Sequence, residues 1–232
     1  MTTIAIIGAD GAGKTTIAKM LERANHEALT YLYLGANIES GNYRLPTSRL
    51  ILYLKLRVYK KKARRAGISD PDYISTHHPA HREVKYGRLG SWLQMANRLL
   101  EGAYRQTIAA LFQLRGRTVI CDRHLYVDGL VMRKSSRLVD RLYLWSLTHL
   151  FPKPDLVVFL DAPPETLLAR KAEGTVERLQ EWRETYLQAG ELLPNFVTVD
   201  ASRPLGEVYA EVSRRIVEST SLDLKRRVTT EL

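Results

Sequence analysis

The chain has 232 residues, one cysteine and a formal net charge of +10 at neutral pH. This length suits one α/β domain, and a single cysteine excludes a disulfide within the chain. No apolar run approaches the ~20 residues of a membrane-spanning helix, and the short apolar start does not resemble a signal peptide. We therefore expect one compact domain in a reducing, cytoplasmic compartment.

The first apolar run leads directly into a glycine-rich segment. Residues 3–7 form a predicted strand, and residues 8–15, GADGAGKT, match the pattern GxxxxGK[ST] at every fixed position. Such a loop points backbone N–H groups at an anion, and the helix that follows adds the positive end of its dipole. We expect Lys14 to reach the β- and γ-phosphates of a nucleoside triphosphate and Thr15 to bind Mg²⁺. The nucleotide-binding residues predicted here are Gly8, Asp10, Gly11, Ala12, Gly13, Lys14, Thr15 and Thr16.

Much of the positive charge lies in a helix predicted over residues 47–65. Its basic residues have no acid among them and are interleaved with apolar residues at helical spacing. A solvated helix face is the favoured interpretation, and a nucleic-acid or membrane surface is the alternative. The run comprises Lys55, Arg57, Lys60, Lys61, Lys62, Arg64 and Arg65.

Residues 66–90 are rich in Gly, Pro and His and form a predicted surface excursion. No cysteine or acid cluster accompanies His77, His78 and His81. We therefore expect exposed loop histidines here, and a metal site is only the weaker alternative.

The rest of the chain alternates short apolar runs with longer helical periods. This pattern predicts an α/β fold with a parallel sheet buried on both faces. Cys121, inside one of the apolar runs, is expected to be a small buried residue. The predicted strands cover residues 3–7, 31–34, 118–122, 156–160 and 196–200, and the predicted helices cover 14–25, 47–65, 91–114, 135–150, 164–172, 176–189 and 205–218.

A second candidate site follows the third strand. Asp122 and Arg123 stand at its carboxyl end, which is where open α/β sheets bind their ligands. Asp122 could hold the Mg²⁺ opposite Thr15, and Arg123 could bind an anionic group of an acceptor. A solvent-facing ion pair is the alternative.

Seven segments carry motifs of a known family, namely residues 9–16, 96–98, 117–124, 160–165, 168–170, 182–187 and 199–202. Together they resemble the thymidylate kinases, which are P-loop kinases of nucleoside monophosphates. The resemblance covers most of the chain outside residues 35–90 and implies a three-layer P-loop NTPase fold with a five-stranded parallel sheet. It implies one kinase domain over residues 1–219, with an acceptor-side helical insertion at about 36–90 and a lid at about 170–178. After residue 219 the apolar periodicity is lost, so residues 220–232 are expected to be a flexible tail.

Specific roles follow from this resemblance. Asp10 is expected to contact the acceptor sugar, Arg98 the acceptor base and Arg123 the acceptor phosphate. Arg170 is the expected lid arginine that neutralises charge during transfer, with Lys171 or Arg178 as alternatives. The adenine-side loop contains Asp200 and Ala201, and Asp161 and Glu165 are either lid-ordering acids or ordinary structural acids.

The chain departs from the family pattern where the acceptor should bind. Residues 35–41 do not match the usual segment after the second strand, Asn97 replaces an expected acid, and His124 replaces the usual aromatic residue. Asp128, Arg133 and Arg137 are further acceptor candidates, although surface charges are the favoured interpretation. The acceptor therefore stays open.

We predict an ATP- and Mg²⁺-dependent phosphotransferase that acts on a nucleoside monophosphate or a related small acceptor. The predicted catalytic residues are Lys14, Asp122, Arg123 and Arg170, and Thr15 and Asp122 are the predicted metal ligands. The alternatives are a kinase of a nucleoside, a sugar or a nucleic-acid end, and a nucleotide-binding protein without transfer. A homodimer is left open as an assembly.

Overall fold

The computed structural model describes residues 2–35, 43–50, 53, 54, 57, 88–132, 137–171 and 174–220. Within these ranges, strands and helices alternate along the chain. The strands are β1 (Thr3–Ile7), β2 (Leu29–Leu34), β3 (Thr118–His124), β4 (Leu156–Asp161) and β5 (Phe196–Asp200). The helices are α1 (Lys14–Ala24), α2 (Arg88–Leu114), α3 (Leu125–Val131), α4 (Leu138–His149), α5 (Pro164–Arg170), α6 (Val176–Glu191) and α7 (Leu205–Ser219), and residues 46–50 are also helical.

The sheet confirms the predicted fold class. Its five strands lie in the order β2-β3-β1-β4-β5, and every neighbouring pair is parallel. Because β1 is central and its chain continues into the glycine-rich loop, that loop lies at the middle of the carboxyl edge. The carboxyl ends of β3 and β4 flank it.

Helices cover both faces of the sheet. On one face, α1, α5 and α7 pack against alternate residues of β1 and β4 such as Ile4, Ile6 and Val158. On the other face, α3 and α6 pack against the intervening residues of the same strands, and α2 covers β2 and β3. The near-continuous apolar strands are therefore buried from both sides, as expected for a parallel sheet. Cys121 is fully buried in β3, which confirms its predicted structural role.

The element ends differ from the predictions mainly around β3. The strand continues two residues beyond the predicted end, to His124, and α3 follows at once where no helix was predicted. Seven residues are too few for a clear helical period, so α3 gives no sequence signal of its own. The β2 strand also begins two residues earlier than predicted, at Leu29.

Some predictions fall outside the described residues. They include most of the basic run, the three histidines, nearly all of the 35–41 segment, Arg133, and the tail from residue 221. Among the described residues, no helix combines the length and apolar character that crossing a membrane requires.

Candidate active site

The loop between β1 and α1 forms a cradle lined by backbone. Gly8 (φ 148°) lies so close to β4 that a Cβ there would be 2.7 Å from the Leu160 carbonyl oxygen. Gly13 (φ 88°) occupies the N-cap of α1 in the left-handed region, and it brings no side chain to cap the helix. The N–H groups of the first turn of α1 lack intrahelical partners, so they are available to an anion.

Lys14 lies within this cradle and not in solvent. Its Nζ donates to the Ala9 carbonyl oxygen at 2.7 Å and is 3.5 Å from Asp10 Oδ1. Burial lowers the pKa of Lys14, and the nearby Arg123 charge lowers it further. The carboxylates of Asp10 and Asp122 oppose this lowering only in part. An anion in the cradle would add further negative charge beside the ammonium group and so favour its charged form.

Arg123 completes a row of charges across the cleft. Its Nη2 donates to Asp10 Oδ1 at 2.9 Å, so Asp10 lies between the arginine and Lys14. Burial alone would raise the pKa of Asp10, but Lys14, Arg123 and Lys171 hold it below its usual value. The structure thus brings together Asp10, Lys14 and Arg123, which the sequence predicted as separate contributors.

The backbone of Arg123 is unusual. Its φ of 64° lies in the left-handed region, which is rare for a residue with a long side chain. The pairing register with β2 shifts at the same place, because Leu32 faces Cys121 whereas Leu34 faces His124. This extra residue in β3 re-aims the arginine toward the cleft, as irregularities near functional sites do.

Thr15 and Asp122, the two predicted metal ligands, meet across the cradle. The Thr15 hydroxyl donates to Asp122 Oδ2, while the buried Oδ1 has no hydrogen-bond partner among the described residues. Mg²⁺ prefers oxygen ligands and retains several waters when bound. A threonine hydroxyl beside a buried carboxylate with an unpaired oxygen fits that ion, directly or through its water shell.

The side chains of Arg170 and Asp200 hydrogen-bond to the backbone of the loop after β5. The Arg170 guanidinium donates to the carbonyl oxygens of Ala201 and Ser202, at 2.7 and 3.2 Å. Asp200 Oδ1 accepts hydrogen bonds from the Ser202 hydroxyl at 2.5 Å and from the Ser202 backbone N–H at 2.9 Å. These two hydrogen bonds, the hydroxyl's first, lower the pKa of Asp200. Arg170 is therefore directed toward the loop after β5, which is the predicted adenine-side loop.

Lys171, the residue after α5, lies close to the cradle. A Cβ built on Gly11 would be 3.6 Å from the Lys171 Cβ and 3.0 Å from the Leu167 carbonyl oxygen. The charge of Lys171 also contributes to the lowered pKa of Asp10. Of these two adjacent basic residues, Lys171 is the one beside the phosphate loop.

The α2 residues from the predicted acceptor motif contact α4 and the helical residues 46–50. Arg98 lines a polar cavity between α2 and α4 with Arg137 and Asp140, and its guanidinium carbon is 5.7 Å from the Tyr143 ring centroid. Asn97 donates to the buried Ser48 hydroxyl at 3.2 Å, which ties α2 to the helical residues 46–50.

Asp128 corrects one sequence interpretation. A surface charge was the favoured interpretation and an acceptor contact the other, but Asp128 is buried in the first turn of α3. Burial alone would lower the pKa of Arg123, whereas Tyr186 and then Asp128 raise it. The sequence favoured the surface because α3 was not predicted, so the inward face of that helix was unknown. Asp128 is therefore part of the electrostatic surroundings of Arg123.

A buried ion pair on α2 was also missed. Glu101 and Arg105 form a 3.0 Å pair, and both side chains are almost fully buried. Arg105 donates to the carbonyl oxygens of Gly35 and Tyr43, and Glu101 accepts from the Leu45 N–H. Their i, i+4 spacing on a predicted helix was a usable signal. The pair anchors the chain on both sides of residues 36–42.

Asp161 at the end of β4 also has a structural partner. Arg183 of α6 binds it with two hydrogen bonds, of 2.6 and 2.7 Å. Such two-point pairs fix orientation as well as charge. Of the two interpretations of Asp161, the contacts support a structural acid that fastens α6 to the strand end.

His124, which replaces an aromatic residue, is buried at the N-cap of α3. Its Nδ1 accepts from the Tyr126 N–H at 3.3 Å, so its proton is assigned to Nε2, which has no partner among the described residues. Burial lowers the pKa of His124 to about 4. The folded protein therefore holds a neutral imidazole at neutral pH.

This burial predicts a specific pH dependence of stability. Because the unfolded chain gains the His124 proton near pH 6.5 and the folded chain only near pH 4, stability falls as pH falls between these values. Through this group, the free energy of unfolding should drop by about 2 kcal/mol between pH 7.5 and pH 5. Urea unfolding at both pH values measures it.

The matched variants for this measurement are His124→Phe and His26→Gln. His124→Phe should lose about 2 kcal/mol of the pH dependence. His26 is exposed, so His26→Gln should retain the wild-type difference. An unchanged pH dependence in His124→Phe would contradict the assignment.

The described residues offer no other obvious metal centre. In the ranges given above, no group of three or more His, Cys, Asp or Glu side chains is placed to hold a metal ion. The Thr15–Asp122 pair offers two oxygen ligands of the kind that Mg²⁺ prefers, and a bound nucleotide would supply further oxygens.

Comparisons with known proteins agree with this geometry. The family model for thymidylate kinase matches residues 92–212, more than half of the chain. A "Probable thymidylate kinase" of Pyrobaculum aerophilum is 30% identical over 224 residues, covering 93% of this chain and 96% of the relative. Similarly named proteins of Archaeoglobus fulgidus and Sulfolobus acidocaldarius are 28% and 26% identical, covering 96% and 91% of this chain and 97% and 94% of their own lengths. The chain therefore belongs to the thymidylate kinase family and is an ATP-dependent nucleotide kinase.

Proposed function

We propose that the acceptor is a nucleoside monophosphate and that Arg123 binds its phosphate. The observation that carries this proposal is the row of charges Lys14, Asp10 and Arg123. The Asp10 carboxylate lies between the two cations, 3.5 Å from Lys14 Nζ and 2.9 Å from Arg123 Nη2. Two phosphates held by these cations would be neighbours. The names of the relatives favour thymidine monophosphate among such acceptors.

The chemistry needs little beyond positioning. A phosphate acceptor already carries an anionic oxygen, so no general base is required. The loose transition state spreads charge over the outer oxygens of the moving group, and Lys14 and Arg123 would stabilise that charge from two sides. Mg²⁺, held by Thr15 and Asp122 when bound, would neutralise the β- and γ-phosphate oxygens. Asp10 would keep Arg123 oriented and could accept a hydrogen bond from a hydroxyl group of the acceptor's sugar.

We further propose that Arg170 and Lys171, the two basic residues at the end of α5, have different roles in the lid, residues 170–178. Lys171, beside Gly11, would be the cation that approaches the transferred phosphoryl group. Arg170, bonded to Ala201 and Ser202, would hold the adenine-side loop. The role of the charge-neutralising lid residue is thereby proposed for Lys171, which was an alternative to Arg170 in the sequence analysis.

Steady-state kinetics of two alanine variants test this division. Lys171→Ala should lower kcat by about 100-fold with little change in the KM for ATP, because charge stabilisation acts in the transition state. Arg170→Ala should instead raise the KM for ATP several-fold and leave kcat within a few-fold. A larger loss of kcat in Arg170→Ala than in Lys171→Ala would overturn the assignment.

A labelled-ATP experiment tests the acceptor class. Wild-type protein is incubated with Mg²⁺, labelled ATP and separate pools of nucleoside monophosphates, nucleosides, sugars and oligonucleotides, and the labelled product is identified. We expect label in a nucleoside diphosphate, with thymidine monophosphate among the accepted substrates. Label confined to nucleosides, sugars or oligonucleotides would refute the proposal.

The homodimer and the cytoplasmic location stay predictions.

A further inference from the structure

The buried ion pair on α2 fixes the backbone that follows β2. The Glu101 and Arg105 side chains are 3.0 Å apart and almost fully buried. Arg105 Nη1 donates to the Gly35 carbonyl oxygen at 3.1 Å, and its Nε donates to the Tyr43 carbonyl oxygen at 3.2 Å. Glu101 Oε2 accepts from the Leu45 N–H at 3.0 Å. A planar guanidinium offers donors in several fixed directions, so one arginine can hold both carbonyl groups and the carboxylate at once.

Gly35 packs directly against the side chain of Arg123. Gly35 is buried and comes immediately after β2. A Cβ built on it would be 2.8 Å from the Arg123 Cβ and 2.7 Å from the Tyr33 hydroxyl oxygen, so no side chain fits between these groups. The Arg105 guanidinium carbon is also 5.7 Å from the centroid of the Tyr33 ring, within the range of a cation–π contact. Arg105 therefore contacts both Gly35 and the ring that packs on it.

The conformation of Arg123 depends on contacts such as this one. Its φ of 64° is unfavourable for a residue with a long side chain, and unfavourable backbone conformations persist where the surrounding structure fixes them. At the far end of the side chain, Nη2 donates to Asp10 Oδ1 at 2.9 Å. At the near end, the Cβ lies against Gly35. These two contacts hold the two ends of the same side chain.

We propose that Arg105, held in place by Glu101, is a positioning residue for Arg123, because it keeps Gly35 packed against the base of that side chain. This inference rests on the proposed function, in which Arg123 binds the acceptor phosphate. The position of the Cβ sets the direction of the whole side chain, so a small displacement there moves the guanidinium away from the phosphate. Arg105 would act through Arg123 and would not touch either substrate.

Arg105→Lys tests this role without leaving a buried charge unpaired. The lysine keeps a positive charge beside Glu101, but its single ammonium group cannot reproduce the hydrogen bonds to both carbonyl oxygens. Isothermal titration calorimetry measures two Kd values, for a non-hydrolysable ATP analogue with Mg²⁺ and for the nucleoside monophosphate that the wild-type protein phosphorylates fastest. Arg105→Lys should raise the Kd for the monophosphate about tenfold and leave the Kd for the analogue within about twofold.

Gly35→Ala disturbs the same contact from the other side. Its methyl group would collide with the Arg123 Cβ and the Tyr33 hydroxyl. We expect the same selective rise of about tenfold in the Kd for the monophosphate. A general loss of folded protein would reduce the bound fraction for both ligands and would leave both Kd values unchanged.

A double variant shows whether Arg105 acts through Arg123. Once Arg123 is replaced by alanine, its position no longer matters. Adding Arg105→Lys to Arg123→Ala should therefore leave the Kd for the monophosphate within about twofold of that of Arg123→Ala alone. Two independent effects would instead multiply.

The matched control is Arg117→Lys, the same chemical change at the opposite end of β3. Arg117 directly precedes β3 and donates to Thr30 Oγ1 at 2.9 Å, so its loss should leave both Kd values unchanged. If Arg105→Lys raises neither Kd or both equally, or if the effects multiply in the double variant, the inference on Arg105 is wrong. If Arg123→Ala leaves the Kd for the monophosphate unchanged, or the wild-type protein phosphorylates no nucleoside monophosphate, the proposed function itself fails.

Discussion

Replacing Lys14 with alanine should lower kcat for phosphoryl transfer at least about a thousandfold and leave the fold intact. The Lys14 amino group lies in the cradle, 2.7 Å from the Ala9 carbonyl oxygen. Its charge is aimed at the position where negative charge grows in the transition state. The measurement is kcat with labelled ATP at saturating acceptor.

Folding should survive this change because the charge of Lys14 costs stability in the free protein. The side chain is buried, and burial lowers its pKa. Thermal unfolding of Lys14→Ala should therefore occur at or above the wild-type Tm. The control is Arg23→Ala, which removes an exposed basic residue from the last turn of the same helix and should leave kcat unchanged. Residual activity within tenfold of wild type in Lys14→Ala would be incompatible with the proposed site.

Asp122→Asn should lower kcat by at least about 100-fold and raise the Mg²⁺ concentration needed for half-maximal rate. The substitution preserves shape but removes the charge that attracts the ion to the pocket. In the structure, the carboxylate accepts from Thr15 with one oxygen and keeps the other unpaired, so an uncharged amide is a poorer partner in both roles. Rates measured across a Mg²⁺ titration report both effects.

Asp155→Asn provides the same chemical change at the opposite edge of the sheet. Asp155 precedes β4 and accepts from the Thr3 N–H at 2.7 Å, which an asparagine oxygen can also do. Its Mg²⁺ dependence and kcat should match those of the wild type. If Asp122→Asn behaved like Asp155→Asn, the metal would have to be held elsewhere.

The strands show how well the local sequence pattern predicts where a strand begins and ends. β1 and β5 match their predicted bounds, since each is a short apolar run with clear punctuation at both ends. β2 and β3 extend beyond theirs, because pairing with a neighbouring strand lengthens each of them past the apolar run. Hydrogen bonding to another part of the chain decides these ends, and no local window contains that partner.

In the candidate site too, local sequence predicts some features and tertiary contacts decide the others. The phosphate loop and the Asp122–Arg123 strand end stand out in the sequence by residue type and spacing, and the structure joins Thr15 to Asp122 by a hydrogen bond. The choice between Arg170 and Lys171 could not be made, because adjacent residues leave a helix end about 100° apart, so only one faces the cradle.

By itself, the sequence determined the class of fold, the phosphate-binding loop and the family, because these depend on spacing within short segments and on the alternation of strands and helices. The tertiary structure alone decided which charges meet. Asp10 and Arg123 are 113 residues apart in the chain and become a 2.9 Å pair only when β1 and β3 lie side by side. The burial of Asp128 and His124 likewise depends on α3 packing against the sheet, and desolvation has no counterpart in a linear pattern.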